Sequence, residues 1–347
     1  MTAPEGFTDA DRALLTELRR DLHRHPELSW KETRTQERLE RALRDVGASD
    51  IRRVATTGLV ARIPGRSAHV PVVAVRGDID ALPITEHTGL DFASQNPGVM
   101  HACGHDVHAT WAVGAALLLA RHPAGGAVMI VLQPAEEVGE GARAILESGA
   151  LDGVRAIFGG HVDRRFAVGE VVAQAGPLAA SADTFTITLT GMGAHGARPH
   201  HSADPVVGAA ELILALQTIV SRRLDPALPG VITVGAVHGG HAPNVIPESA
   251  ELAGTIRATT AAARSLLTSE TTRVAHAVAA THRLTAQVTI ADGTPPLENT
   301  ADAAGWAATA VRDVLGEAAL VPLGTTNMGG EDFAYYLSRM SGCFMRI

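Results

Sequence analysis

Three short apolar runs stand out along the chain: VPVVAV (70–75), AVMIVL (127–132) and VRAIFG (154–159). Each is shorter than an ordinary helix and rich in β-branched residues, so each is read as a buried strand of an α/β sheet. Every run gives way to polar residues: RGDIDALP after the first, QPAEEVGEG after the second, GHVD after the third. Ligand crevices of open α/β sheets lie beyond the carboxyl ends of strands, which draws Asp78, Asp80, Glu136, Glu137 and His161 towards one place. The apolar stretch ATWAVGAALLLA (109–120) is too short to span a bilayer and reads as a buried helix. Immediately before it stands HACGHDVH (101–108), which can face the same crevice.

From about residue 181 the pattern changes. DTFTITLTG alternates Phe185, Ile187 and Leu189 with threonines, the mark of a strand with one covered face. A helix starts at DPVVGAAELILALQTIVSRR, with Asp204 suited to the N-cap and Pro205 to the first turn. Strands come next at 230–237 and 249–257, then a helix at about 261–282, and a last strand at TAQVTIA (285–291). The order βαββαβ is that of a ferredoxin-like unit. Residues 181–293 are therefore expected to form an inserted second domain. The helical pattern of 299–315 then returns the chain to the first domain, 1–180 and 294–347.

Composition narrows the function classes. The 347 residues are 46% hydrophobic and 19% charged, and 29 Lys+Arg against 37 Asp+Glu give a net charge of −8. That lacks the basic excess that binding to phosphates requires, so nucleic acid is not expected as a partner. The N-terminal stretch is charged throughout, without the apolar core of a signal peptide, and with the most apolar run too short to span a bilayer no membrane partner is expected. Cys103 and Cys343 lie far apart and form no disulfide framework, which fits a reducing compartment; a cytoplasmic location is expected.

The sixteen histidines change the picture more, because several cluster. Cys103 and His105 precede a helix, whose N-terminal dipole, together with a nearby cation, favours thiolate over thiol, and a thiolate there can ligate a metal. The blander reading has His101, His105 and His108 lining one helix face. The acidic pair Glu136–Glu137 can be the first turn of a helix; in a metal-assisted hydrolase one carboxylate would bind metal and the other accept a proton from water. At the first strand end, Asp80 ahead of Asp78 is placed to accept a hydrogen bond from a ligating imidazole, which fixes the tautomer.

Taken in order, LHRHPELSWKE, VRGDIDALPI, MHACGHDVH, LQPAEEVGEGA, GMGAHGARPH, NVIP, GTIR and GGEDFAYYL resemble the amidohydrolase branch of the M20 metallopeptidases, which includes N-acyl-amino-acid, hippurate and auxin-conjugate hydrolases. The resemblance runs from about residue 15 to the end. It implies a zinc-peptidase-like α/β catalytic domain carrying an inserted lid, often paired into homodimers through that lid. It implies two divalent metal ions, zinc, manganese, cobalt or nickel, on Cys103, His105, Glu137 and His161, with Glu136 as general base. His195, Asn244 and Arg257 then fall on lid positions that contact substrate, a small N-acyl amino acid. The resemblance also implies a further histidine ligand after the GCF strand. None lies beyond His282, so the chain is expected to be a fragment that lacks it. Two other readings stay open: Cys103 as a nucleophile with a histidine base, and a non-catalytic module that binds metal or amino acid.

Overall fold

Six strands form the sheet of the first unit, in the order Ser49–Val54, Gly58–Ile63, Val128–Gln133, Val72–Asp78, Val154–His161, Ser341–Arg346. The last four run parallel to one another, and the first two join them antiparallel as a hairpin. The computed structural model describes residues 6–347. This first unit runs to Gly176 and takes in Asn299–Thr325 and Asp332–Ile347; the second comprises Pro177–Glu298 and Thr326–Glu331.

The three apolar runs are central strands, as their uninterrupted hydrophobicity requires of a sheet covered on both faces. The first was expected to end at 75, yet it continues to Asp78. Arg76 and Asp78 stand in the polar RGDIDALP stretch that follows the expected strand, but both are fully buried and pair with each other inside the protein. The Ala109–Ala120 run belongs to the helix His105–Arg121. Its Ala109, Ala112, Val113 and Ala116 pack on Val128, Ile130 and Leu132 of the sheet. Contact is close at Gly77, where a Cβ would stand 2.2 Å from the His108 carbonyl oxygen.

Helices Asp9–Arg24 and Thr33–Asp45 and the two hairpin strands were not expected from the apolar pattern. The first helix starts with a reciprocal cap, in which Thr8 Oγ1 accepts the Asp11 N–H at 3.2 Å and the Asp11 carboxylate accepts the Thr8 N–H at 2.8 Å.

In the second unit the strands Ala182–Thr190, Gly230–Gly239, Ser249–Ala258 and Thr285–Thr294 lie in the order fourth, first, third, second, all antiparallel. With helices Pro205–Arg222 and Ala261–Thr281 this is the ferredoxin-like arrangement. The alternation read in the first strand is what builds its core: Phe185, Ile187 and Leu189 are buried against Leu212, Leu216 and Leu267. Pro205–Arg222 is long and apolar enough by composition to cross a membrane. Here it packs as a domain helix, with Leu212, Leu216 and Ile219 wholly buried.

Candidate metal centre

The carboxyl ends of Val72–Asp78, Val128–Gln133 and Val154–His161 lie side by side, and the helix His105–Arg121 begins beside them. Its N-cap, Gly104, has φ 87°, and a Cβ there would stand 2.4 Å from Val162 Cγ2. Only glycine lets this turn close against the strand end carrying His161. The closure sets Cys103 Sγ 3.2 Å from His161 Nε2. Glu136 and Glu137 occupy a turn, because the next helix starts only at Gly141. The acidic pair is thus not a helical first turn, and its two carboxylates are free of the helical repeat.

Hydrogen bonds fix which imidazole nitrogen is available. His161 Nδ1 lies 2.6 Å from the Val162 carbonyl, which can only accept, so Nδ1 carries the proton and Nε2 the lone pair. His105 Nδ1 donates to Asp80 Oδ1 at 3.1 Å, and its Nε2 is buried with no hydrogen-bond partner. Asp80 Oδ2 accepts the Glu137 N–H at 3.0 Å and the Ser29 hydroxyl at 2.8 Å, so one carboxylate orients both a ring and the acidic turn. His108 is spent: Nδ1 donates to Asp78 Oδ1 at 2.7 Å, and Nε2 accepts the Val162 N–H at 3.0 Å. His101 is buried and neither ring nitrogen has a hydrogen-bond partner.

These residues fit a pair of metal ions. Donor atoms of Cys103, His105 and His161 lie within 4.8 Å of one another, as do those of His105, Glu136 and Glu137. Buried polar atoms without partners are rare, and here two of them, His105 Nε2 and Glu137 Oε1, stand 3.7 Å apart. The electrostatics also call for positive charge. Burial opposes a charge on His105, yet the Asp78 carboxylate and the hydrogen bond to Asp80 hold it well above an ordinary imidazole. Burial pushes Glu137 above the usual carboxylate range.

The same groups speak against a cysteine nucleophile. Burial, with Glu137 and Asp78 adding to it, pushes the Cys103 thiol up, so the expected pull of the helix end towards thiolate does not prevail without a cation. Burial brings His161 down to about 3, which makes it a neutral donor and a poor partner for a thiolate–imidazolium pair.

Several supporting residues were not singled out from the sequence. Arg76, fully buried, donates to Gln133 Oε1 at 2.9 Å and to Asp332 Oδ1 at 3.0 Å, and it also pairs with Asp78. Asp332 in turn accepts the Ala142 N–H at 2.9 Å, tying the GGEDF segment to the start of the helix after the acidic turn. The only signal for this network was charge placed beside apolar strands.

In the second unit, His195 and Asn244 come together. His195 pairs with Val245 in a short antiparallel ribbon, and the Gly196 N–H donates to the Asn244 carbonyl at 2.8 Å. Both residues are exposed. Arg257 is not beside them. It sits at the far end of Ser249–Ala258, opposite Val231, whereas Ser249 at the near end pairs with Thr190 before the His195 turn.

A family model described as peptidase family M20/M25/M40 matches residues 74–347. The N-acetyl-L-cysteine deacetylase of Bacillus subtilis (strain 168) is 41% identical over 344 residues, covering 98% of this chain and 81% of the relative. IAA-amino acid hydrolase ILR1-like 2 of Arabidopsis thaliana is 40% identical over 336 residues, covering 95% of this chain and 75% of the relative. A crystal structure of a Bacillus subtilis protein, described as a dinuclear metal binding peptidase from the M20 family, superposes with a TM-score of 0.87 at 37% identity, covering 98% of this chain and 89% of that one. With donor atoms for two cations at its sheet ends, this chain belongs to peptidase family M20/M25/M40 and is a metal-dependent hydrolase of amide bonds.

Proposed function

We propose that the chain cleaves the amide bond of small N-acyl amino acids or similar conjugates, with two divalent cations held by Cys103, His105, Glu137 and His161. One observation carries this reading: buried, partnerless His105 Nε2 and Glu137 Oε1 face each other beside the Cys103–His161 contact. The deacetylase and IAA-amino acid hydrolase relatives support the substrate class. Thiolate and imidazole donors suit zinc, cobalt or nickel, and the carboxylate extends the choice to manganese.

When bound, the cations supply the positive charge that polarises the scissile carbonyl and eases deprotonation of the attacking water. Glu136 carries the proton. It takes the proton as the water oxygen bonds to the carbonyl carbon, then returns it to the nitrogen as the C–N bond breaks, and the carboxylate is regenerated. Asp80 keeps His105 in the tautomer whose Nε2 lone pair faces the site, and the Val162 carbonyl does the same for His161. We assign His195, Asn244 and Arg257 to substrate binding, with the Arg257 guanidinium suited to a free α-carboxylate. We further assign a cytoplasmic location and a homodimer formed through the second unit. Its edge strand Gly230–Gly239 pairs on one side only and exposes Val231 and Val237, which supports the dimer.

The test is a panel of N-acetyl, N-benzoyl and N-indoleacetyl amino acids assayed for released amine, with chelator and then with Mn²⁺, Co²⁺ or Zn²⁺ added back. Activity lost to the chelator and restored by an ion is expected. Turnover that survives chelation but dies on thiol alkylation would establish the cysteine nucleophile instead. Binding without turnover at any metal would leave a binding module.

A further inference from the structure

The acidic turn is held from a distant part of the chain. Ala135, the residue before Glu136, is fully buried and has φ 53°, in the left-handed region that a side chain disfavours. Pro134 before it has no N–H, so the Ala135 N–H is the first donor after the strand, and buried donors need an acceptor. That acceptor is Glu32. Its Oε1 takes the Ala135 N–H at 2.9 Å, and its Oε2 takes the Thr57 hydroxyl at 2.5 Å. The carboxylate is wholly buried. On its other side, the Ala135 carbonyl accepts from Gly141 at 3.1 Å and Glu140 at 3.3 Å. Ala135 is therefore pinned at both peptide groups, and Glu136 and Glu137 leave from the pinned point.

The neighbours of Glu32 act on the same structure. Ser29 Oγ donates to Asp80 at 2.8 Å, and Trp30 Nε1 donates to Glu140 at 2.9 Å. The Ala81 N–H donates to the Glu27 carbonyl at 2.9 Å. One short segment between the first two helices thus reaches two of the three strand ends that carry the chemistry.

We propose that Glu32 is a positioning residue for amide hydrolysis, acting through the Ala135 backbone to aim Glu136 and Glu137. The proposal rests on the amidohydrolase reading above. What matters is the reach of an acceptor oxygen to the Ala135 N–H and not the negative charge. Glu32→Gln keeps the length and one acceptor oxygen, and the Thr57 hydroxyl can turn to accept from the new amide. Glu32→Asp keeps the charge but withdraws the oxygens by one methylene.

The two variants are compared with the parent in three measurements: kcat and KM on the N-acetyl amino acid the parent cleaves best, Zn²⁺ or Mn²⁺ affinity by calorimetry, and thermal unfolding. The expected order is Glu32→Gln within about threefold of the parent in kcat and in metal affinity, and Glu32→Asp down roughly tenfold or more in kcat. Its KM should stay within about threefold and its metal affinity should fall, because Glu137 moves with the turn. The opposite order, with aspartate active and glutamine impaired, would overturn the proposal in favour of an electrostatic role. Lowered unfolding temperatures with kcat and metal affinity intact would reduce Glu32 to a structural residue. If a Glu32 variant does not fold, Thr57→Val carries the test: it frees Oε2, kcat should fall several-fold, and an unchanged kcat would overturn the proposal. A parent without turnover would sink the amidohydrolase reading, while the metal-affinity comparison would still decide the role of Glu32.

Discussion

Replacing Asp80 by asparagine removes one acceptor oxygen from a group that serves three donors: His105 Nδ1, the Glu137 N–H and the Ser29 hydroxyl. Asp80 is fully buried, so no water can substitute. If the new NH₂ faces Glu137, the acidic turn loses the anchor at the Glu137 N–H. If it faces His105, two donors meet, and the ring is driven to the tautomer with the proton on Nε2, which cannot then bind a cation. Either way at least one hydrogen bond to a charged acceptor is lost, worth about 1.5–3 kcal/mol. At 1.4 kcal/mol per factor of ten, this corresponds to roughly 10–100-fold in metal affinity, the range found when residues behind metal ligands are changed. Calorimetric titration of the metal-free protein with Zn²⁺ measures that affinity, and circular dichroism checks that the variant is folded. A folded Asp80→Asn protein that holds both ions as tightly as the parent would refute the argument that Asp80 sets the tautomer and the turn.

Three further outcomes are expected. Glu136→Gln should lower kcat by roughly 10²–10⁴ while metal content, read by elemental analysis, stays that of the parent; loss of metal along with activity would make Glu136 a ligand. Gly104→Ala forces φ 87° on a side chain whose Cβ meets Val162 Cγ2 at 2.4 Å, so thermal unfolding should show about 1–3 kcal/mol of destabilisation, accompanied by weakened metal binding. His23 Nδ1 lies 2.9 Å from Asp106 and Nε2 3.3 Å from Glu86, and the Asp106 hydrogen bond, acting against burial, raises its pKa. A raised histidine contributes stability in full below its unfolded value of about 6.5 and loses it as pH climbs through the folded value. His23→Gln should therefore lower the urea midpoint more at about pH 6 than at about pH 9; an equal loss at both would show that the pair contributes nothing through charge.

The apolar pattern carried the architecture well where hydrophobicity was continuous or alternating, and less well where polarity was buried. Central strands and the covered strand at Phe185, Ile187 and Leu189 announce themselves because burial on two faces or one leaves a distinct imprint on sequence. Helices Asp9–Arg24 and Thr33–Asp45 passed unseen because each buries only a stripe, Leu18 and Leu22 in one and Leu39 and Leu43 in the other, amid charged residues. Arg76 was hidden for the converse reason. Besides Asp78, its partners Gln133 and Asp332 are distant in sequence, so local sequence does not show the network that lets its charge be buried.

By itself the sequence determined which residue types stand at the ends of three buried strands and before one helix, because those positions are set by local periodicity and by short motifs. It could not rank His101, His105 and His108, three imidazoles within one octapeptide. Tertiary structure decided that, by assigning lone pairs: Asp80 accepts the Nδ1–H of His105 and leaves Nε2 facing the acidic pair, whereas Asp78 and the Val162 N–H consume both nitrogens of His108. It also decided that Glu136 and Glu137 lie on a turn, held through Ala135 by Glu32, 103 residues earlier in the chain. A hydrogen bond closed over such a separation leaves no trace in local sequence, since its geometry exists only once the sheet has brought both ends together.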